Sequence, residues 1–200
     1  SKVSMPSEVE LMNARIFADF NRQSLLGCQA PELQLKQRDG EMCIVFPREK
    51  RRYAVLYFYA PDCAKCRIQS IMMRNLLNTG NYPVDFVAVY TGDDMQEWDE
   101  YVSRHLAVSS ESVSAEHLWD PEVDSDYQRK YGVIQTPRMF LIAPDGTIIG
   151  RGLDAKALSE MLDGIFSEKQ LNYGTEESVV LYDMVFGKDA VPSGKEEVTS

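Results

Sequence analysis

Residues 53–59, Tyr-Ala-Val-Leu-Tyr-Phe-Tyr, form an unbroken run without a single charge. Aromatic, aliphatic and β-branched residues in such a run fit a strand covered on both faces, as in a parallel or mixed sheet. The fold must therefore supply a layer above this strand and another below it. At 200 residues, 44% of them apolar, the chain is long enough to do so without disulfide staples. One compact domain with attachments suits that length better than two full domains.

The flanking segments supply the layers. Residues 7–26 read as a helix, opened by a Ser7/Glu10 capping box and carrying Val9, Met12, Ile16, Phe17 and Phe20 at helical spacing. Leu33 and Leu35, a two-residue turn at Asp39-Gly40, and Cys43 to Phe46 describe a β-hairpin. After Cys63 the pattern turns helical, with Ala64, Ile68, Ile71, Met72 and Leu76 on one face and Gly80 as a C-cap. Val84 to Tyr90 reads as a second strand. Asp93 to Leu106 reads as a helix with Met95, Trp98, Val102 and Leu106 inward.

Residues 107–126 are polar and read as irregular, ending in Asp120, Glu122, Asp124 and Asp126. A calcium loop needs a glycine turn and a closing carboxylate at set offsets, and neither is present. Acids before a helix start are the simpler role. Tyr127 to Tyr131 reads as a short helix ended by Gly132. Residues 138–143 and 147–151 flank Pro144-Asp145-Gly146 as a second hairpin, and residues 153–166 form a closing amphipathic helix. The expected order is a leading helix and then ββ-βα-βα-α-ββ-α. Residues 168–200 form an extension, with a short helix about Val179 to Val185 and a disordered end.

Cys63 and Cys66 stand three positions apart where the apolar strand gives way to the helix. Three uses compete: a redox dithiol, half of a metal site, or a chance pair. At a helix N-terminus, unpaired N–H groups and the dipole favour a thiolate at Cys63, and Cys66 can close a short disulfide that exchange reopens. Lys65 and Arg67 favour the thiolate and Asp62 opposes it, while Ala64 and Lys65 set the local environment. Structural zinc usually shows two close ligand pairs, whereas Cys28 and Cys43 are fifteen positions apart and His105 and His117 have no ligand spacing. No metal ligand is assigned. Cys28 and Cys43 read as small half-buried thiols, and a disulfide between them stays open.

Pro137 starts a strand, where proline removes a ladder donor. A cis Thr136–Pro137 bond would leave the backbone of Thr136 available to an extended peptide. An ordinary trans proline at a strand entry is the simpler alternative.

Taken together, strand–CxxC–helix, a later Thr-Pro before a hairpin, and a closing helix resemble the thioredoxin superfamily over residues 24–167. "Leu-Gly-Cys-Gln-Ala-Pro-Glu-Leu-Gln-Leu", "Leu-Trp-Asp-Pro", "Lys-Tyr-Gly-Val" and "Phe-Leu-Ile-Ala-Pro-Asp-Gly" are similar to segments of its TlpA/ResA-like branch. The resemblance implies an α/β fold: a mixed thioredoxin-like sheet flanked by helices, with an N-terminal hairpin. Residues 1–23 would be a helical extension and 168–200 a C-terminal one. It implies a protein disulfide oxidoreductase, more reductant than oxidant, with Cys63 and Cys66 catalytic, Thr136 and Pro137 binding substrate, and Asp62, Ala64 and Lys65 tuning the thiols. It implies no cofactor beyond a redox-active Cys63–Cys66 disulfide. Partners would be protein thiols or disulfides and an upstream electron-donor protein. The location would be extracytoplasmic, in a bacterial periplasm or cell envelope, with a membrane or lipid tether outside these residues.

The sequence departs from the pattern. Tyr57 stands where thioredoxins keep a buried acid, Gln69 where some relatives carry a glutamate, and Asp62 where a tryptophan is usual. These departures motivate a rival: a thioredoxin-like module that binds proteins with little or no turnover. A peroxidase relative is a third reading, but the Pro-x-x-x-Thr-x-x-Cys context is missing. A net charge of −10 argues against nucleic acid, whose phosphates need clustered Lys and Arg. No stretch approaches the roughly 20 apolar residues of a membrane span. With Ser1 first and Met5 the earliest methionine, the chain reads as a mature or trimmed fragment.

Overall fold

A computed structural model describes residues 4–49 and 51–168. The expected helix and disordered end beyond Glu168 lie outside the described residues. The chain divides into two units, residues 1–156 and 157–200, and the sheet lies in the first. No helix among the described residues is long and apolar enough to cross a membrane.

Helix α1 spans Glu8–Asn21 and opens as the capping box requires: Ser7 Oγ accepts from Glu10 N at 3.2 Å, and Ser7 N donates to a Glu10 carboxylate oxygen at 2.7 Å. It ends five residues short of the expected Leu26. None of its residues is fully buried, and Val9, Met12, Ile16 and Phe17 lie exposed.

Strands β1 (Leu33–Lys36) and β2 (Met42–Phe46) make the expected hairpin, but its loop is longer than a two-residue turn. Lys36 pairs with Met42 and Leu35 with Cys43. The intervening loop is closed by Gln37 N to Glu41 O at 2.8 Å and by Asp39 Oδ1 accepting from Glu41 N. Gly40 takes φ +89°, a conformation that glycine adopts without steric cost. A two-residue Asp39-Gly40 turn would set Cys43 opposite Lys36; the longer loop sets it opposite Leu35.

The apolar run becomes β3 (Ala54–Tyr59), with every residue buried. Helix α2 (Ala64–Thr79) follows, then β4 (Asp85–Tyr90), α3 (Met95–His105), β5 (Ser114–Trp119) and the single turn α4 (Tyr127–Lys130). Strands β6 (Arg138–Ile142) and β7 (Ile148–Arg151) form the second hairpin, and α5 spans Ala155–Glu168. The seven strands lie in the order β2-β1-β5-β4-β3-β6-β7. β3, β4 and β5 are mutually parallel, while β1, β2, β6 and β7 join antiparallel.

The strand β5 corrects the reading of 107–126 as irregular. Its residues, Ser-Ala-Glu-His-Leu-Trp, are buried only at Leu118 and Trp119, so it lacks an apolar signature. It is held by backbone pairing along all six residues of β4, from Asp85↔Ser114 to Tyr90↔Trp119. Past it, the Asp120 carboxylate accepts from Asp124 N, Ser125 N and Ser125 Oγ and folds the loop. Asp126 precedes α4 with φ +57° and makes no side-chain cap.

Strand β3 separates two cores. Leu56 and Phe58 join Val87, Val89, Phe140 and Tyr131 on one side. On the other, Tyr57 and Tyr59 meet α2 and α3 through Ser70, Trp98 and Tyr101. The buried face of α2 is Cys66, Ser70, Met73 and Leu77. That overturns the expected face, since Ala64, Ile68 and Met72 are exposed and Ile71 and Leu76 only half-buried. Apolar spacing failed because a serine and a cysteine hold the inner positions. In α3, Trp98 and Leu106 are buried as expected, Tyr101 joins them, Val102 is half-buried and Met95 is exposed.

Asp85, 1% exposed, anchors the start of β4 between two arginines. Arg48 donates to its Oδ2 from Nε and Nη2, at 3.2 and 3.0 Å, and also reaches Glu116. Arg52 Nε stands 3.4 Å from Oδ1, an ion pair without hydrogen-bond alignment. Removing one partner of a buried ion pair strands the other charge. Asp85→Ala is therefore expected to destabilise the protein by about 3–5 kcal/mol in urea unfolding; a loss under 1 kcal/mol would mean that water already solvates this cluster.

Candidate active site

The site is built where β3 stops. Pro61 cannot extend the ladder, and the chain turns through Ala60-Pro61-Asp62 into α2. Cys63 is the N-cap, with extended backbone at φ −95° and ψ 115°, and its Sγ accepts from Cys66 N at 3.2 Å. A sulfur thus fills the place that a serine or aspartate oxygen takes at other helix starts. Both thiols are free, Cys63 half-buried and Cys66 buried.

The Thr136–Pro137 loop faces this pair. Cys63 Sγ lies 3.5 Å from the carbonyl oxygen of Thr136. The Thr136–Pro137 peptide bond is cis, as is Phe46–Pro47, which the sequence did not suggest. The β3–β6 ladder begins at Phe58↔Arg138, so Thr136 and Pro137 precede it. A cleft of about 530 Å³ opens here, lined by Asp62, Cys63, Thr91, Tyr127, Ile134 and Thr136 among others. Asp62, Ala64 and Lys65 are exposed, and Pro137 is half-buried. Thr91, Tyr127 and Ile134 were not anticipated. Tyr127 reads as a core residue, and no pattern ties Thr91 to the dithiol.

Burial pushes the Cys66 thiol up to about 11, since a thiolate there would lose its water. The Ala60 backbone pulls the other way. Beneath Cys66, at the position where the resemblance led to an acid, lies a chain of hydroxyls. Tyr57 OH donates to the Cys66 carbonyl at 3.1 Å and meets Ser70 Oγ at 3.0 Å; Ser70 Oγ meets Tyr101 OH at 2.8 Å. A carbonyl can only accept, so Tyr57 must spend its one proton on Cys66. Ser70 must then donate to Tyr57, and Tyr101 to Ser70. Burial holds Tyr57 well above the usual phenol range and pushes Tyr101 up to about 12. The chain is uncharged throughout the ordinary working range.

Gln69 is also accounted for: its Oε1 accepts from Ala155 N at 2.7 Å. Cys28 and Cys43 are both free and half-buried, and Cys43 sits in β2, where burial pushes its thiol up.

Tyr57→Phe and Tyr101→Phe keep the rings and remove opposite ends of the chain, which meet only at Ser70 among these hydrogen bonds. Each is expected to cost about 1–3 kcal/mol, with a coupling of about 0.5 kcal/mol or more in a double-mutant cycle read by urea unfolding. Strict additivity would show that the hydroxyls act separately.

Residues 51–148 match the family described as Thioredoxin-like. No curated protein matches the sequence. Among solved structures, the thioredoxin domain of a thiol-disulfide oxidoreductase from Bacteroides vulgatus is similar at 17% identity, covering 70% of this chain and 97% of that one, with a TM-score of 0.58. A thiol-disulfide oxidoreductase from Bacteroides fragilis is similar at 20% identity, over 68% and 98% of the two chains, with a TM-score of 0.58. A thiol:disulfide interchange protein from a Bacteroides species is similar at 17% identity over 78% and 95%, with a TM-score of 0.57. At these identities the structural likeness bears on the fold, and it agrees with the sheet order and the helices around it. The chain has a thioredoxin-like fold, and residues 51–148 carry the Thioredoxin-like match.

Proposed function

We propose that the protein is a thiol–disulfide oxidoreductase that exchanges a Cys63–Cys66 dithiol with disulfides of client proteins, chiefly as a reductant. The observation that carries this reading is the half-buried Cys63 sulfur, held by Cys66 N–H and facing the Thr136 carbonyl across an open cleft. In the first step the Cys63 thiolate attacks one client sulfur. The client S–S bond breaks, a mixed disulfide forms, and the departing client thiolate takes a proton. In the second step Cys66 loses its proton and attacks Cys63. The second client thiolate leaves, and two electrons have passed to the client. A dithiol donor protein must then reduce the Cys63–Cys66 disulfide.

Thr136 and Pro137 hold the client backbone next to the reacting sulfur, and Asp62, Ala64 and Lys65 set the field at the helix start. No cofactor other than the dithiol takes part. The similarity to the TlpA/ResA-like branch supports an extracytoplasmic, bacterial-envelope location, with a tether outside these residues. Cys63→Ser is expected to abolish insulin-disulfide reduction; undiminished activity in that variant would overturn the mechanism.

The high affinity of Cys66 for its proton favours slow resolution, which also suits a second reading: a client-binding module with little turnover. The two are separated by wild-type turnover, which only the first allows.

The Cys66 proton sets a pH dependence. Because burial raises its affinity, the thiolate fraction is small at neutral pH and grows about tenfold per pH unit up to about pH 11. In Cys63→Ser protein, the rate of Cys66 alkylation by iodoacetamide is expected to climb steadily from pH 8 to pH 10. A plateau below pH 9 would show that the thiol is not held protonated by its surroundings.

A further inference from the structure

We infer that Arg138 and Arg151 form a carboxylate-binding site beside the Thr136–Pro137 loop, which selects client segments carrying an acidic residue near the reacting cysteine. The identity of the client rests on the exchange reading above, but the site itself does not.

Arg138 opens β6 directly after Pro137, and Arg151 closes β7. Arg151 pairs with Phe140 across the antiparallel ladder. Residues that pair share a face, and residues two apart on a strand share it as well. Arg138, Phe140 and Arg151 therefore point to one side of the sheet. A Cβ built on Gly152 would lie 4.0 Å from Arg138 Nη1, so the Arg138 head reaches the chain next to Arg151.

Both side chains are half-buried, and the Nε of each is buried without a hydrogen-bond partner. Neither guanidinium has an ion pair among the described residues. Arg151 Nη2 donates to Asn21 Oδ1 at 2.9 Å, a neutral acceptor. Among the other half-buried arginines, Arg48 and Arg52 share Asp85 and Arg129 holds Asp126, whereas Arg74 donates to the neutral Arg104 O and Asn75 Oδ1. Burial, and then the charge of Arg151, weakens the hold of Arg138 on its proton. Two adjacent cations with no anion between them among the described residues are an unfavourable arrangement that a planar two-oxygen acceptor relieves, because it matches the guanidinium fork.

The place fits a client. Thr136 O lies 3.5 Å from Cys63 Sγ, and Arg138 follows two residues on, at the start of β6. A carboxylate about two residues from the client cysteine falls within reach. The chain carries a net charge of −10, and Asp62 lines the cleft, so the surroundings disfavour an acidic client. Attraction confined to Arg138 and Arg151 then selects by register rather than by overall charge.

The test uses full-length Cys63→Ser/Cys66→Ser protein, so that binding is read without turnover. A short peptide with S-methylcysteine and a glutamate two residues away is titrated at 50 mM salt, against the same peptide with glutamine and against inorganic phosphate. Binding is followed by isothermal titration calorimetry. The glutamate peptide is expected to bind at least tenfold more tightly than the glutamine peptide. Adding Arg138→Gln should erase that difference, and Arg138→Lys should keep part of it. Equal binding of the two peptides, or a preference surviving Arg138→Gln, would overturn the site. Phosphate binding as tightly as the glutamate peptide would overturn its assignment to a client segment. The glutamate-to-glutamine comparison stands on unaltered Arg138 and Arg151, so it holds even if Arg138→Gln fails to fold. Loss of insulin reduction in wild type would refute the exchange reading and leave this measurement untouched.

Discussion

Everything in the sheet depends on burying β3 from both sides. A strand with all six residues inaccessible to water must have neighbours at both edges and layers on both faces. The parallel partner β4 and antiparallel partner β6 supply the edges. Phe58 then needs the aromatic cluster of Tyr127, Tyr131 and Phe140, while Tyr57 and Tyr59 need Ser70, Trp98 and Tyr101. The dithiol is a by-product of the same demand. The chain must leave the core at Tyr59 and return as a covering helix, and the first turn of that helix is where Cys63 and Cys66 sit.

The parts legible in the sequence were those in which one residue type had one use. An uncharged aromatic run, Ser7 with Glu10, Pro144-Asp145-Gly146, and a CxxC after a strand each pointed to a local structure that formed. What escaped was held by backbone or by mixed chemistry. β5 is defined by pairing with β4 and buries only Leu118 and Trp119, so no periodicity betrayed it. The inner face of α2 runs through Cys66 and Ser70, whereas its apolar spacing points to Ile68 and Met72, which face out. The five-residue loop after Lys36 turned on Gly40 and Asp39, whose pattern a tighter turn shares.

The candidate site was legible to a similar depth. Its two sulfurs and the Thr136–Pro137 loop could be named in advance, because each is a short motif. The hydroxyls beneath Cys66 could not, since they come from β3, α2 and α3, and only the folded chain brings them together. Tyr57 stood out as a substitution, but its partners Ser70 and Tyr101 did not.

The hydroxyl chain has a consequence for proton accounting. Reducing a disulfide to two thiols takes up two protons with two electrons, so a potential governed by the thiols alone falls by about 59 mV per pH unit. A buried carboxylate under the dithiol would add a third proton and bend that line near its own titration. Tyr57, Ser70 and Tyr101 have no proton to exchange anywhere between acid and mildly alkaline conditions. By trading an ionisable acid for a one-way line of alcohols, the chain keeps a hydrogen-bonded floor beneath Cys66 and removes that floor from the redox proton balance.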